Sequence, residues 1–491
     1  MFSLESFRLS ELACNVLQNA LNQMGILWSS RRNWSKAQEN LQASEVLYRE
    51  FTQNVGTSPY SIRDLFALGS PDDTDLASVM KARTQNFEDT YTHTLYYMAQ
   101  VLTHLGETEK SAEYCHVTLQ RQLRMDTLDC IEWSLNAATL SQFYISQENY
   151  EVARHCLASA ERVLERAGHS QLSVDVSKSD SQAEVDRKEK LPRAWADLYR
   201  CWVKYGLVLL ENSMESSLAE EQGEAELLAS LHADRKSSLL FDVEATHLEE
   251  SIPAKYVTTF EQALPVFKCV QSWLNKAKQF YVLDGHCSDH VEVVQDNSKA
   301  LKLLAFFEPH LDRQCKMHKR RIDMLEAVLA QLNMQHYLLV CRQLIFELAE
   351  TYSAMMDLKL AIMEEAGGAP TVHQAKKCNK LVSQSIDSYE RYLDTLRKPD
   401  KTFPEQFSAD DERAAIVANF CLGRLFSKYI EVDTQKRVQL LHRSHHYYKL
   451  VSDYAKRNES VKSHSKTEVE ICDEMVALMP VKIKQLLASA S

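Results

Sequence analysis

The chain has 491 residues, 45% of them hydrophobic and 25% charged, which is enough to bury a large core. Its 11 Gly and 10 Pro residues are each about 2% of the chain, against usual values of about 7% and 5%. This shortage excludes a fold of tight hairpins or Gly-rich phosphate loops and predicts an all-α protein. The net charge of −12 argues against general nucleic-acid binding and favours a basic protein partner.

The sequence contains no predicted membrane span or secretory signal. No run approaches 18 apolar residues, and the N-terminus carries an acid as early as Glu5. The twelve cysteines occur singly, with no CxxC pair, which is typical of a reducing compartment. We therefore expect a cytoplasmic protein.

A helical-hairpin repeat begins near the N-terminus. One helix presents large residues on either side of a small one, and the next presents a small, a bulky and a second small residue, which is the spacing of a tetratricopeptide repeat. The small residues let the two helices approach closely, and the large ones fill the space between them. The residues that carry this pattern are Leu21, Met24, Gly25 and Trp28, followed by Ala37, Leu41 and Ser44.

Four further copies follow at unequal intervals, which predicts an irregular α-solenoid. The second comprises Met98, Ala99 and Leu102 with Ser111, Cys115 and Thr118, and the third Leu140, Ser141 and Tyr144 with Tyr150, Ala153, Leu157 and Ala160. The fourth comprises Leu348, Ala349 and Tyr352 with Leu358 and Ala361, and a fifth starts at Leu422, Gly423 and Phe426.

The stretch between the third and fourth copies is predicted to be a spine of two helices. Asp289 and Glu292 are spaced as a capping box for the first helix, and Pro309 suits the first position of the second. A helix from Pro309 to Leu332 would be about 36 Å long. One apolar stripe along it predicts contact with a neighbouring helix; its members are Leu311, Cys315, His318, Ile322, Leu325, Leu329 and Leu332.

These elements divide the chain into three predicted parts. They are an N-terminal lobe of tetratricopeptide-like hairpins at 1–280, linker helices at 281–333 and a C-terminal lobe of helical hairpins at 334–491. Mobile connections are expected near 57–75 and 168–190. The segment 214–250 has ten acidic and two basic residues, and it is either a solvated insertion or an arm for a basic partner.

No pattern indicates an enzyme, a metal site or a cofactor. The run from His286 to His290 matches no zinc-ligand spacing, and His318 lies on the apolar stripe, as expected of a packed core histidine. Nucleophile-elbow, P-loop, HExxH and dinucleotide-binding motifs are missing from the sequence. A basic group near His318 is either a solvated face or a set of partners for acids on a neighbouring hairpin; its members are Lys316, Lys319, Arg320 and Arg321.

A helical solenoid binds its partners mainly on the surface lined by the first helix of each hairpin. On these helices Tyr97 shares a face with Gln100, and Thr139 shares a face with Gln142, while Gln122 ends the helix between them. From spacing alone, these five side chains are either exposed helix polars without a partner or a partner-binding surface.

Several long blocks resemble the KIF-binding protein family (KBP), and the similarity runs over nearly the whole chain. Three blocks lie in the spine, at 289–296, 304–308 and 313–322, and read DHVEVVQD, LAFFE and RQCKMHKRRI. Two more lie in the repeats, in 91–97 and at 136–144, where the second reads NAATLSQFY. The chain is identified as a member of this family by these blocks.

The resemblance implies a right-handed α-solenoid of two lobes joined by a long linker helix. It also implies a cytoskeleton-associated monomer that binds the motor domains of a subset of kinesins on their microtubule-binding face. Such binding would control motor activity, axonal microtubule organisation and axon outgrowth. The partner-binding residues would be Tyr97, Gln100, Gln122, Thr139 and Gln142.

Two further expectations follow from the comparison with repeat families. Members of the KIF-binding family carry helices before the first repeat found here, so we expect this sequence to be an isoform, a truncation in the gene model or a shorter orthologue. The alternative function is that of a general scaffold or co-chaperone adaptor, which grips an acidic peptide tail with basic side chains. The corresponding positions hold Asn22, Ile26, Tyr97 and Thr139 and lack those bases.

Overall fold

A computed structural model describes residues 8–66, 76–125, 128–172, 182–221, 240–367, 369–458 and 461–490. Within these ranges the regular structure is helical and no strand occurs, which confirms the predicted all-α solenoid class. The helices are α1 (Cys14–Ser30), α2 (Trp34–Asn54), α3 (Ile62–Phe66), α4 (Leu76–His104), α5 (Thr108–Gln122), α6 (Cys130–Ser146), α7 (Tyr150–Leu172), α8 (Gln182–Glu221), α9 (Thr246–Glu249), α10 (Phe260–Phe280), α11 (Cys287–Phe307), α12 (Leu311–Leu329), α13 (Leu338–Ala366), α14 (Val372–Asp394), α15 (Ala409–Ser427), α16 (Thr434–Arg457), α17 (Val461–His464) and α18 (Lys466–Ala490).

The chain divides into two compact units. Unit 1 comprises Met1–Tyr205 and Glu226–Lys255, and unit 2 comprises Gly206–Ala225 and Tyr256–Ser491. The sequence-based boundaries at 280/281 and 333/334 both fall inside unit 2. The three-part division therefore stays a prediction.

The three hairpins of unit 1 turn in the same way. The residue four positions after Trp28, Leu102 and Tyr144 has a positive φ in each case: Arg32 at 58°, Gly106 at 81° and Glu148 at 56°. The next backbone N–H then donates to the carbonyl of Trp28, Leu102 or Tyr144 at 2.9 Å. This is the Schellman arrangement, which satisfies the last carbonyls of the first helix and starts the second helix at a constant register.

Small residues set the approach of the paired helices. A Cβ placed on Gly25 would lie 2.7 Å from Cγ of Leu41, so the α1–α2 contact requires a glycine. In three other hairpins a serine hydroxyl of the second helix donates to the carbonyl of the small residue on the first. These bonds are Ser111 to Ala99 at 2.8 Å, Ser385 to Ala349 at 2.8 Å and Ser444 to Gly423 at 2.6 Å.

Side-chain caps explain where many helices begin. The side chain of Asn33 accepts a hydrogen bond from the backbone N–H of Lys36, and Asp129, Thr259, Ser408 and Asp433 cap their helices in the same manner. Thr371 and Gln374 make a reciprocal capping box at the start of α14.

The predicted spine differs from the structure at its ends. The expected capping box at Asp289 and Glu292 is wrong, because α11 already begins at Cys287 after His286, which makes no side-chain cap bond. Pro309 precedes α12 instead of opening it, and α12 has 19 residues, ending at Leu329. The apolar stripe is confirmed in its centre, where Cys315, His318, Ile322 and Leu325 are buried. Because α12 packs against both α11 and α13, it is one member of a stack of helices within unit 2.

Two connections and one repeat also need correction. Residues 168–172 and 182–190 of the expected mobile connection are helical, and residues 62–66 of the connection at 57–75 form α3. Residues 57–61 are described without regular structure, whereas 67–75, 173–181 and, in the acidic insertion, 222–239 lie outside the described residues. In the fourth repeat, Leu358 and Ala361 continue α13, and the second helix of that hairpin is α14.

Across the described ranges, no helix combines the length and the low charge that crossing a bilayer requires.

Candidate partner-binding grooves

One face of α4 carries a regular row of side chains toward α5 and α6. Its members are Asp89, His93, Tyr96, Gln100 and Thr103, and all of them line one of two grooves in unit 1. The spacing of four, three, four and three residues keeps them on one side of the helix over about 21 Å. The row changes from acidic to neutral along the helix.

Helix α6 presents a second row that changes in the same direction. Asp129 and Glu132 stand at its start, Asn136 and Thr139 at its middle and Phe143 near its end. Asp129 also caps the helix, its carboxylate accepting from the backbone N–H of Ile131 at 2.9 Å and of Glu132 at 3.1 Å. The helix dipole stabilises carboxylates near a helix N-terminus. The two carboxylates of this row therefore lie at the end of α6 where negative charge is favoured.

The two rows enclose an apolar groove of about 330 Å³, with α5 as its floor. Ala112, Cys115 and Leu119 of α5 lie between Tyr96 on one side and Phe143 on the other. Tyr96 is 38% exposed, although it is a large aromatic side chain. Such a groove suits the apolar side chains of a protein partner.

A second, acidic groove of about 400 Å³ continues from the first, since Tyr96 and Gln122 line both. Its carboxylates are Asp89, Asp129 and Glu132. No lysine or arginine lies among its lining residues. The acidic groove therefore favours a basic group of the partner next to the apolar anchor point.

An ion pair behind the grooves holds α5 against α4. The guanidinium of Arg121 pairs with Glu88, its Nε donates to Oγ1 of Thr92 at 3.1 Å, and it lies 4.6 Å from the ring centroid of Tyr91. The hydroxyl of Tyr48 donates to Glu88 at 2.8 Å, and burial together with this carboxylate raises the pKa of Tyr48 to about 12. The tyrosine thus stays protonated as a donor, and these contacts hold α5, the floor of the apolar groove, against α4.

The structure brings four of the five sequence-predicted residues to these grooves. Gln100 and Thr139 line the apolar groove, Tyr97 lines the acidic groove, and Gln122 lines both. Gln142 lines neither, and its Nε2 donates to the hydroxyl of Ser141 at 3.1 Å. The assignment of all five as partner-binding residues stays a prediction.

Sequence reasoning missed several lining side chains. Tyr96 and Phe143 were not predicted because polar side chains are the usual signal of a binding face, whereas this groove also uses one exposed and one partly buried aromatic side chain. Glu132 escaped because a single carboxylate on a helix is usually solvated. A projection of α4 through Asp89, His93, Tyr96 and Gln100 would have found the row from its spacing.

The positions where a co-chaperone module would carry side chains that grip a peptide tail are used for other contacts, as Asn22 shows. Asn22 is buried, its Nδ2 donates to the carbonyl of Thr90 at 3.1 Å, and its Oδ1 accepts from the hydroxyls of Ser44 and Thr94 at 2.9 Å. This amide is used to join α1, α2 and α4. It is therefore unavailable for the terminal carboxylate of a peptide tail.

The candidate residues near the spine have a structural role. His318 is buried, as expected of a core histidine, and loss of hydration together with neighbouring Arg321 lowers its pKa to about 4. Arg321 is 4% exposed, so for this residue the second alternative, a partner for acids on a neighbouring hairpin, is the one observed; it donates to Ser298 at 2.9 Å and pairs with Glu347 at 3.4 Å. Within the described ranges no group of three or more His, Cys, Asp or Glu is arranged to hold a metal ion.

Comparison with known proteins shows the family to which the chain belongs. The family model described as "KIF-1 binding protein C terminal" matches residues 131–486. The KIF-binding protein of Xenopus tropicalis is 40% identical over 98% of this chain and 80% of its own length, and that of Homo sapiens is 38% identical over 98% and 79%. A structure of KIFBP solved by cryo-EM matches with a TM-score of 0.61 and 31% identity, covering 96% of this chain and 82% of the solved one. By sequence and by fold, the chain belongs to the KIF-binding protein family.

Proposed function

We propose that this protein binds kinesin motor domains through the apolar and acidic grooves of unit 1. The observation that carries the proposal is the continuous surface formed by α4, α5 and α6, which is apolar at one end and acidic at the other. The relatives are named for binding KIF proteins, and they are binding proteins by name. No enzymatic step enters the proposal.

The charge of the protein indicates which motor surface is bound. A kinesin motor meets the acidic microtubule with a basic face, and this chain has a net charge of −12. An acidic groove beside an apolar one would hold a basic helix of that face and keep it off the microtubule. The protein would then act in the cytoplasm, near the cytoskeleton, as a monomeric regulator of motors in axon outgrowth.

The first experiment measures the affinity of the chain for recombinant kinesin motor domains by calorimetry. Thr139→Arg places a long cation in the apolar groove, and Val117→Arg makes the same change on an exposed face of α5 that lines neither groove. We expect Thr139→Arg to weaken binding at least about tenfold and Val117→Arg to change it less than twofold. Equal affinities of the two variants would contradict the groove assignment.

A double substitution tests the residues predicted from the sequence. Tyr97→Ala with Gln100→Ala removes two side chains of the α4 wall and should weaken motor binding while helicity is retained. Because Tyr97 also packs beside the buried Leu41 and Leu102, the thermal midpoint of each variant is recorded with its affinity. An acidic chaperone-type tail peptide, run in parallel, should not bind. Tight binding of that peptide with no binding of any motor would support the adaptor function instead.

A competition assay tests whether the bound surface of the motor is the one that meets the microtubule. Motor domains are sedimented with microtubules in the presence of increasing amounts of the chain. If the bound surface is the one that meets the microtubule, the motor moves to the supernatant in proportion to the complex formed. A ternary complex in the pellet would leave motor binding intact but refute the microtubule-facing geometry.

A further inference from the structure

Unit 2 contains a cleft of about 810 Å³ that the proposed function does not use. Helices α11, α13 and α15 form its walls, and the end of α8 closes one side through Glu211. It is larger than either groove of unit 1. Its lining carries six carboxylates and four cationic side chains.

Most of the cations in this cleft are already paired. Lys299 lies 2.8 Å from a carboxylate oxygen of Glu211, Arg321 lies 3.4 Å from Glu347, and Arg342 lies 3.4 Å from Asp411. The lining as a whole holds six carboxylates against these three cations and Lys302. The cleft therefore has an excess of negative charge.

Glu350 is the centre of that excess. Loss of hydration raises the pKa of its carboxyl, as does the nearby carboxylate of Glu347, and Lys302 opposes them. The side chain nevertheless reaches solvent. A carboxylate with this environment is stabilised by a further cation brought into the cleft.

Helix α13, which carries Glu350, also presents apolar side chains to the cleft. Leu339 is 70% exposed near the start of α13, Phe346 is half-buried, and Glu350 follows one turn later. The spacing of seven and four residues puts all three on one side of the helix, about 16 Å from end to end. The cleft thus offers an apolar end and an acidic end to one ligand.

We propose that this cleft binds a basic amphipathic α-helix of a partner protein, at a site separate from the grooves of unit 1. A helix satisfies its own backbone hydrogen bonds, which matters because helical walls offer side chains and no free backbone groups. Its apolar residues would contact Leu339 and Phe346. A Lys or Arg about eleven residues along would reach Glu350, the spacing that helix-in-groove recognition uses.

The test uses a defined probe and the whole 491-residue chain. The probe is a fluorescent synthetic peptide of about 18 residues, with Leu and Lys at helical spacing, long enough to span the cleft; a version with Glu in place of Lys is its control. Binding is followed by fluorescence anisotropy. Glu350→Lys is compared with Glu365→Lys, an exposed position on the same helix outside the cleft, and Leu339→Ser with the exposed Val372→Ser.

We expect Glu350→Lys to weaken the affinity for the Lys peptide about tenfold and Leu339→Ser to weaken it about fivefold. Both control variants should bind the Lys peptide within twofold of the unsubstituted chain. The Glu peptide should not bind. Equal losses in the matched controls, or a loss with Glu132→Lys of unit 1 but not with Glu350→Lys, would overturn the proposal. Motor-domain affinity is measured on the same variants: it should be unchanged by Glu350→Lys, and a loss there would refute a separate site while leaving motor binding itself intact.

Discussion

Phe241 holds the C-terminal part of the acidic insertion against α5, α6 and α7 of unit 1, and its removal gives a sharp test of the fold. The side chain is 4% exposed, stacks on His116 with 4.3 Å between ring centroids and meets the ring of Trp133 edge-on at 5.2 Å. Its backbone N–H donates to Nε2 of His155 at 2.8 Å. Because Nε2 accepts, Nδ1 of that histidine carries the proton and donates to Glu249 at 2.6 Å.

The free-energy cost of removing the Phe241 ring follows from these contacts. Truncation of a buried Phe to Ala costs about 3–5 kcal/mol, and the ring contacts are part of that cost. The segment keeps other anchors, since Arg154 donates to the carbonyl of Ile252 at 2.7 Å and Tyr205 to that of Pro253 at 2.9 Å. We therefore expect Phe241→Ala to lower the free energy of opening residues 240–253 by about 3 kcal/mol, which is a factor of about 150 in the opening equilibrium.

The assay is native-state hydrogen exchange read by mass spectrometry on peptides that cover 240–253. Leu240→Ala is the matched control, because Leu240 is the adjacent residue and 45% exposed, so its truncation should cost less than about 0.5 kcal/mol. Exchange in the segment should accelerate about a hundredfold in Phe241→Ala alone. Similar exchange in the two variants would refute the anchoring role of Phe241.

Burial beside His155 lowers the pKa of His116 to about 4, below its ordinary 6.5. The free energy of unfolding is therefore at its full value above pH 6.5 and falls by about 3 kcal/mol as the pH drops toward 4. Urea titrations should give a flatter dependence of stability on pH for His116→Gln. A Cβ on Gly423 would lie 2.8 Å from the buried ring of Tyr448. Gly423→Ala should therefore lower the free energy of unfolding by about 1–2 kcal/mol, net of the gain in helix propensity, and lower the thermal midpoint. An unchanged midpoint would contradict the close contact. Arg321→Met should lower the free energy of unfolding by about 3–5 kcal/mol because Glu347 loses its guanidinium partner. Adding Glu347→Leu should recover most of that loss. Additive losses of the two substitutions in a double-mutant cycle would refute their coupling.

The hairpins of unit 1 were predictable because their pattern is short and local. Gly25 and Leu41 are 16 residues apart, and the contact between them follows from size alone. The turn residues after Trp28, Leu102 and Tyr144 were less visible, since two of the three are Arg32 and Glu148, which have no glycine signal for a positive φ.

Helix ends and burial of charge were harder to predict. Asp289 and Glu292 have the spacing of a capping box, yet α11 starts earlier, at Cys287, and the residue before it, His286, makes no side-chain cap bond. The burial of Arg321 depends on Ser298 and Glu347, which are 23 and 26 residues away in sequence. A pattern within one helix contains no information about such partners. The grooves were half predicted, since the polar members on α4 and α6 follow from spacing but their aromatic neighbours needed the packed structure.

The serine hydroxyls that bond to Ala99, Ala349 and Gly423 have a consequence for how this architecture changes over evolution. Each bond closes within one helical pair, so each pair keeps its own alignment without help from the pairs before and after it. Lengthening the chain between pairs then leaves that alignment untouched, whereas an insertion inside a pair would break it. Tolerance of that kind accounts for repeats that stay recognisable although the distances between them vary.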